Sequence, residues 1–553
     1  MPELSQSQVK ALLDVQDFHP PEDELTEVIL RLNSLIQGLT TLEDLDVFQV
    51  EPWSELPAPP LKERTGIGSP APEAETAHTD EIALMTIAEQ ARLIRTKQLS
   101  PVALTQRYLE RIDRYDSFIR SFNFVMGDEA LAAAKQAEQE IATGNYRGPL
   151  HGIPVAMKDQ WDIKGVPNTG GSRAFADNVA AEDCTMIARL RGAGAIILGT
   201  TATHEFHMGG TIEFLRGLAR NPWDLERSPG GSSSGSGSSV AAGLVSAAIG
   251  GDTGGSIRGP GSFNGVSGLR PSWSRVSRQG GFALSWELDA PGPLARSAED
   301  CALVLQAIAG YDPLEPMSSK EPVPEYRASL SGNIKGLKVA IFEELLNQMK
   351  DAEGRKLLDD AIDVLRGLGA TVDTISIPMA NRMQGVQAAI SDGYASSYHR
   401  KWVRENYEKY DRNTRVRILV GTCLPSGLHT LARRARTALG MQVIGAFENY
   451  DILVGATMTG PAGPAQAKPV TTQQEAVEVV LTRGGTSNSL SNAGVPAISV
   501  PAGLTSTGLP IGFQLAAAPM DEATLLRVSH AFQQATKHHE QHPPMTWADT
   551  AAK

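Results

Sequence analysis

Long apolar runs and cysteine are both scarce in this sequence. No stretch approaches the roughly 20 apolar residues that a membrane-spanning helix needs, and residues 1–17 lack the basic and apolar segments of a secretory signal. Cys184, Cys301 and Cys423 lie far apart and match neither a metal-binding pattern nor a disulfide framework. These absences argue against a membrane span and a disulfide-bonded secreted domain, and they predict a cytoplasmic protein.

Positive charge is also in deficit. The 553 residues include 50 Lys and Arg against 63 Asp and Glu, which gives a formal net charge of −13. Because an acidic chain is repelled by nucleic acid and by anionic membranes, neither is expected as the main partner. The hydrophobic share of 41% is ordinary for a globular protein.

Residues 1–75 form a separate N-terminal extension in the sequence. Between Glu22 and Leu39, apolar side chains recur at helical spacing and form one face: Leu25, Val28, Ile29, Leu32, Leu35 and Ile36. A proline-rich stretch, residues 51–60, follows and forbids a regular helix there. A helix with one apolar face cannot bury it alone, so we expect the extension to pack on the main domain or on another copy of the chain in a homodimer.

Residues 76–553 alternate between strand-like and helical patterns. The predicted strands are residues 153–157, 196–198, 339–342, 372–377, 452–454 and 497–500. Helical patterns such as 128–143 and 297–308 separate most of them. This alternation predicts an α/β fold whose large, mostly parallel mixed β-sheet is covered by helices on both faces.

The first segment that could take part in catalysis is the apolar run that ends in Lys158. A lysine at the end of a buried strand enters a poorly solvated interior. Burial disfavours the charged ammonium and lowers its pKa, so the amine can accept a proton at neutral pH. The plain alternative is a lysine that extends its ammonium group to solvent.

The second segment is rich in glycine and serine, residues 228–239. It is not typical of a flexible linker, because an apolar run of small residues, 240–248, follows at once and is expected to be helical. It also lacks the spacing of a phosphate-binding loop. Glycines allow positive φ angles and let backbone amides converge, as an anion or oxyanion site requires.

The third segment is Gly-Gly-Asp-Thr-Gly-Gly-Ser-Ile-Arg, residues 250–258. Its successive amides are predicted to form an oxyanion hole at Thr253, Gly254, Gly255 and Ser256. Backbone donors aimed at the place where negative charge develops stabilise a tetrahedral intermediate efficiently.

Together the three segments resemble the amidase signature family. Ser232 and Ser256 stand 24 residues apart, as in that family, and Lys158-Asp159 lies upstream. The resemblance runs from about residue 80 to 543, with further motifs at residues 149–155, 194–200, 220–224, 492–501 and 508–514. It implies the amidase signature fold, a small-molecule amide substrate, and no metal or organic cofactor.

By this resemblance, Ser256 is the nucleophile, Ser232 is a bridging serine after a cis peptide bond, and Lys158 is the base. The chemistry is coherent, because a serine hydroxyl is a poor nucleophile until a base takes its proton. A neutral lysine acting through a second hydroxyl serves that purpose and returns the proton to the leaving nitrogen. The chain departs from the family in its serine-rich loop, where Ser233 competes with Ser232 for the bridging role.

Candidate substrate-binding residues are Gly230, Ser233 and Arg258. In some relatives the arginine matching Arg258 binds a substrate carboxylate; the plainer interpretation is an ion pair with Asp252 or Asp159. Gly259 stands where the family has a bulky residue, which suggests added space beside the nucleophile.

The pair His204 and His207 lacks the full pattern of a zinc site and is interpreted as packing. Other substrate contacts are expected within residues 380–450.

The resemblance leaves several functions open. The main hypothesis is a free-standing amidase; hydrolysis of carbamates or esters by the same residues is close to it. A second class is an amidotransferase A-type subunit that passes ammonia to an acceptor. The N-terminal segment around Leu39, Leu42, Leu45 and Val50-Glu51-Pro52 resembles the small C subunit of glutamyl-tRNA(Gln) amidotransferase, here fused to the hydrolase.

Overall fold

The computed structural model describes residues 3–47, 49–53, 81–212, 215–383, 385–465, 467–481 and 485–550. Most of the predicted proline-rich stretch, and the boundary placed at residue 75, therefore lie outside the described residues. No helix in the described ranges is long and apolar enough to cross a membrane.

The N-terminal extension contains two helices, α1 (Gln6–Val15) and α2 (Glu22–Thr40). The helix predicted from Glu22 is thus confirmed. Three acidic residues in its first turn interact favourably with the positive end of the helix dipole and stabilise the helix. Of the six apolar positions, all but Ile29 are at least 96% buried. They pack against helices of the main domain, so this face is not available to another protein chain.

One 11-stranded sheet lies at the centre of the main domain. Its strands, in chain order, are β1 (Phe122–Val125), β2 (Pro154–Lys158), β3 (Ile196–Thr201), β4 (Ala247–Asp252), β5 (Ser267–Arg270), β6 (Ala290–Ala295), β7 (Lys338–Phe342), β8 (Thr371–Ile375), β9 (Ile452–Ala456), β10 (Ala497–Leu504) and β11 (Pro510–Ala516). The spatial order is β1-β3-β2-β4-β6-β5-β10-β11-β9-β7-β8, and all six predicted strands are present.

The sheet is mixed, as predicted, but it is not mostly parallel. Only the pairings β2–β3, β2–β4, β7–β8 and β7–β9 are parallel, and the other six are antiparallel. The sequence prediction missed β1, β4, β5, β6 and β11, and every antiparallel pair includes at least one of these strands. All of them except β1 contain glycine, proline or alanine where typical strands have β-branched residues, which hides them in the sequence.

Helices cover both faces of the sheet. They are α3 (Ile87–Arg95), α4 (Pro101–Ile119), α5 (Gly127–Ala142), α6 (Thr185–Gly192), α7 (Ser234–Ala241), α8 (Arg258–Asn264), α9 (Ala298–Ile308), α10 (Glu343–Leu346), α11 (Ala352–Gly367), α12 (Val386–Tyr398), α13 (Arg400–Glu405), α14 (Arg412–Cys423), α15 (Ser426–Ala446), α16 (Gln473–Leu481), α17 (Asn488–Ala493), α18 (Glu522–Thr536) and α19 (Trp547–Thr550). Neighbouring residues of one strand enter different cores: Ile498 joins the core under α9 and α18, and Ala497 joins the core under α2, α12 and α14.

The small-residue run predicted as a helix is divided instead. Helix α7 begins earlier, inside the glycine- and serine-rich loop, and ends at Ala241. Gly243 then adopts a left-handed backbone with φ of 63°, which ends the helix and turns the chain into β4. The run therefore places the serine loop at the start of a helix and residues 250–258 at the end of a strand.

Candidate active site

Lys158 ends β2 and has no solvent-exposed surface. Its Nζ donates to Ser232 Oγ over 2.9 Å and lies 3.4 Å from the carbonyl oxygen of Gly251. Desolvation by burial lowers the pKa of Lys158 to about 7. The lysine therefore has a large neutral fraction at physiological pH and contacts one hydroxyl, whereas the alternative of an ammonium extended to solvent is wrong.

Ser232 follows the cis peptide bond Gly231–Ser232, as the family resemblance implied. Its carbonyl oxygen accepts a hydrogen bond from the amide of His204. Ser233 faces elsewhere: its Oγ accepts from the amide of Gly251 at 3.2 Å and lies 3.3 Å from the carbonyl oxygen of the same residue. Of the two serines that competed for contact with the lysine, the structure brings Ser232 to it.

Ser256 lies just beyond β4, in the turn that leads into α8. Ser256 is a partly exposed residue, whereas Ser232 is 1% and Lys158 0% exposed. The carbonyl oxygen of Ser256 accepts from the amide of Ser233 at 3.3 Å, which ties the two glycine-rich loops together. Exposure thus rises from the lysine to Ser256, the order expected of a buried base behind an accessible nucleophile.

The predicted oxyanion donors do not all remain available. The amide of Gly255 donates to Asp252 Oδ1 at 2.7 Å, so it cannot serve a substrate oxygen. The amides of Thr253, Gly254 and Ser256 have no acceptor within the described part of the chain. These three are the remaining candidate donors.

A buried ion network holds this loop in place. Arg258 Nε and Nη2 each lie 3.1 Å from a carboxylate oxygen of Asp252, and Arg270 Nη1 lies 3.4 Å from the same carboxylate. All three side chains are fully buried. Although desolvation opposes it, the two guanidinium groups hold the pKa of Asp252 well below its usual range. Arg258 therefore forms the ion pair with Asp252, and it is not exposed to bind a substrate carboxylate.

The two glycines of interest support the loop backbone. Gly230 has a φ of 76°, and a Cβ there would lie 2.9 Å from the backbone nitrogen of Pro260, so only glycine fits without strain. This packing explains the glycine at position 230, and the substrate contact predicted for Gly230 stays a prediction. A Cβ on Gly259 would meet Met458 Sδ at 3.4 Å, so Met458 lines the space that was predicted there.

His207 is buried, and His204 is half-buried beside the serine loop. His204 Nδ1 accepts from the amide of Thr211 at 3.1 Å, and a Cβ on Gly231 would lie 2.4 Å from the His204 ring. Burial, reinforced by the nearby Lys158, lowers the pKa of His204 to about 4. The described residues hold no group of three or more His, Cys, Asp or Glu arranged to bind a metal ion.

Sequence reasoning missed a buried acid beside the loop. Asp289 Oδ1 accepts from Thr253 Oγ1 at 2.6 Å, and its other oxygen accepts from the amides of Leu284 and Ser285. A narrow recess, open to solvent, is lined by Gln160, Thr253, Asp289 and Trp286, among others. Asp289 gave no signal in the sequence, because it stands alone before β6 and outside every motif.

Two glutamines beside the loop were also missed. Gln160 stands two residues after Lys158, and that position was its only signal. Gln387 lies in the first turn of α12, within the region 380–450 that was expected to line the site. Both side chains contact glycines of the loop, Gly251 and Gly254 respectively.

Comparison with known proteins gives consistent matches across the main domain. A family model described as Amidase matches residues 103–526. The A subunit of glutamyl-tRNA(Gln) amidotransferase from Geobacter metallireducens is 39% identical over 482 residues, which cover 83% of this chain and 98% of that protein.

Two solved structures have similar folds. A protein from a vestigial complex, described as revealing the evolutionary origins of an s-triazine catabolic enzyme, is 30% identical, with a TM-score of 0.75 and coverage of 82% of this chain and 99% of that one. A bacterial aryl acylamidase of the amidase signature enzymes is 25% identical, with a TM-score of 0.74 and coverage of 82% and 97%.

Proposed function

The chain belongs to the amidase signature family, enzymes that act on carbon–nitrogen bonds, and from that premise we propose that it hydrolyses a small-molecule amide to a carboxylic acid and an amine or ammonia. The observation that carries the proposal is the buried contact of Lys158 Nζ with Ser232 Oγ, since the next residue, Ser233, is hydrogen-bonded to the partly exposed Ser256. Carbamates and esters contain the same reactive carbonyl, so the same residues would serve for them.

In the proposed mechanism, neutral Lys158 takes the hydroxyl proton of Ser232, which in turn takes the proton of Ser256. Ser256 Oγ then attacks the substrate carbonyl carbon. The amides of Thr253, Gly254 and Ser256 are the candidate donors to the resulting oxyanion. The proton returns through Ser232 to the leaving nitrogen, the carbon–nitrogen bond breaks, and water hydrolyses the acyl-enzyme by the same relay.

A second candidate is an amidotransferase A-type subunit that releases ammonia from an amide for transfer to an acceptor. It is favoured by the amidotransferase relative, which is similar over nearly its whole length. The two candidates differ in what the purified chain does alone. We expect ammonia release from simple amides without any partner protein; release that requires added partner proteins and an acceptor would support the second candidate instead.

The bridging role of Ser232 gives a direct prediction. Ser232→Ala removes the hydroxyl that contacts Lys158 Nζ and should lower kcat/KM by about 100-fold or more. Ser233→Ala, the matched control, removes a hydroxyl bound to the Gly251 backbone and should cost less than about tenfold. Steady-state rates of ammonia release test the pair, and the reverse ranking would make Ser233 the bridge.

The activity should depend on the protonation of Lys158. Because only the neutral amine accepts a proton, kcat/KM should rise with pH through about 7 and then level off. Asp289 favours the charged ammonium and so raises the pKa of Lys158. Asp289→Asn should therefore move the acidic limb of the pH profile to lower pH.

The control for this shift is the surface residue Asp359, which pairs with Arg355. Asp359→Asn should leave the acidic limb unchanged. A profile of kcat/KM that is flat between pH 5 and 9, or one that moves to higher pH in Asp289→Asn, would contradict the assignment of Lys158 as the base.

We also propose that the protein works in the cytoplasm with a small-molecule substrate. The three cysteines are free and buried, in line with a reducing compartment. A homodimer would have to use a surface other than the buried face of α2.

A further inference from the structure

Gln160 presents a buried acceptor without a donor. The residue is 4% exposed, and its Nε2 donates to the carbonyl oxygen of Phe282 at 3.0 Å. That bond fixes the orientation of the amide and turns Oε1 toward Gly251, where a Cβ would lie only 2.5 Å from it. Gln160 Oε1 is buried and receives no hydrogen bond within the described part of the protein.

Gln387 packs against the same loop, three residues further along the chain from Gly251. Its side-chain amide occupies the space of an absent Cβ on Gly254, which would lie 1.7 Å from Nε2 and 2.4 Å from Oε1. The residue is 6% exposed, and its Oε1 is also buried without a partner among the described residues. Buried polar atoms normally have partners, so two such acceptors packed against one short loop require an explanation.

Both glutamines pack against the loop that carries the unpaired amides. The loop from Gly251 to Ser256 has backbone donors at Thr253 and Gly254 with no acceptor among the described residues, and neither pairs with either glutamine oxygen. Donors and acceptors of the site are thus kept apart, and neither set is satisfied by the described residues. Donors suit a carbonyl oxygen and acceptors suit N–H groups, which together are complementary to an unsubstituted amide.

We infer that Gln160 and Gln387 determine specificity by accepting N–H groups of the substrate, so that the site selects primary carboxamides and ureas over esters and N,N-disubstituted amides. The inference rests on the proposed function and names the substrate class of the same site. A site built to hydrogen-bond a substrate N–H discriminates against analogues that lack it, because its own buried acceptors then stay unpaired.

The test compares two substrates with one acyl group. Butyramide offers two N–H bonds and methyl butyrate offers none, so the ester is an internal reference; benzamide and methyl benzoate serve as a second pair. Gln160→Met and Gln387→Met should each lower kcat/KM for the amide about tenfold and change that for the ester less than about twofold. The ratio of amide to ester activity is unaffected by the amount of folded enzyme.

The matched control is Gln533, a buried glutamine whose amide is fully used. Its Nε2 donates to Ser267 Oγ at 2.9 Å and its Oε1 accepts from the amide of Ala298 at 2.7 Å. Gln533→Met should lower stability and leave the amide-to-ester ratio unchanged. An unchanged amide-to-ester ratio in Gln160→Met or in Gln387→Met would overturn the inference.

Failure of the proposed function gives a different result. If Ser256→Ala still hydrolyses the ester, the assignment of the nucleophile is wrong, whatever the glutamine variants do. If Ser256→Ala is inactive and the two glutamine variants lose amide and ester activity equally, the proposed function stands and this inference is contradicted.

Discussion

Ser256→Ala should lower kcat/KM for amide hydrolysis by at least about 1000-fold, because its hydroxyl forms the partly exposed end of the proposed relay. Lys158→Ala should cost about 100- to 10,000-fold, since it removes the base and leaves the candidate oxyanion amides in place. Ammonia release under first-order conditions gives both values. Ser506→Ala, an exposed serine bound to Glu353, is the control and should retain full activity.

A covalent probe separates loss of the nucleophile from loss of substrate binding. A fluorophosphonate should add one mass increment, mapped by peptide mass spectrometry to Ser256. Labelling should disappear in Ser256→Ala and slow strongly in Lys158→Ala, because the hydroxyl then lacks a base. An adduct on Ser232 or Ser233 would reassign the nucleophile.

The catalytic segments could be predicted from sequence because each is local. Lys158 follows directly from an apolar run that ends in a charge, and Ser232 and Ser256 stand in short glycine-rich motifs with a fixed separation. The amphipathic pattern from Glu22 likewise identified a real helix, α2. In each case neighbours in the chain supply the relevant physical environment.

The remaining parts of the site depend on contacts between distant segments. Gln387 reaches Gly254 across more than 130 residues, and Asp289 reaches Thr253 across 36. The parallel or antiparallel direction of each strand could not be predicted either, because hydrophobic periodicity indicates which residues are buried and not which strand lies alongside. The sequence also offered a substrate role for Arg258 that the structure does not support, because a motif position does not reveal what occupies the space beside it.

Asp252→Ala should be the most destabilising single change at the site. It leaves Arg258 and Arg270 fully buried without their carboxylate, and breaking a buried ion pair from one side costs about 3–5 kcal/mol. It also removes the acceptor of the Gly255 and Ile257 amides, so the loop that carries Ser256 loses its anchor. Chemical denaturation should show the lower free energy of unfolding, and the folded fraction should have strongly reduced kcat.

Asp252→Asn separates shape from charge. The amide has nearly the same volume, but its NH2 group cannot accept from a guanidinium, so we expect an intermediate loss of stability. The surface control is Asp23, an exposed residue of the N-terminal extension that pairs with Arg412 of the main domain. Asp23→Asn should change the free energy of unfolding little.

The charge of Asp252 also predicts how stability depends on pH. Because its folded-state pKa lies below the unfolded value near 4, its contribution is complete above that value and is lost as the pH falls below it. Wild type should therefore lose this part of its stability only under acidic conditions, while Asp252→Asn should show a weaker acid dependence. Equal acid sensitivity of the two proteins would mean that the network contributes through packing alone.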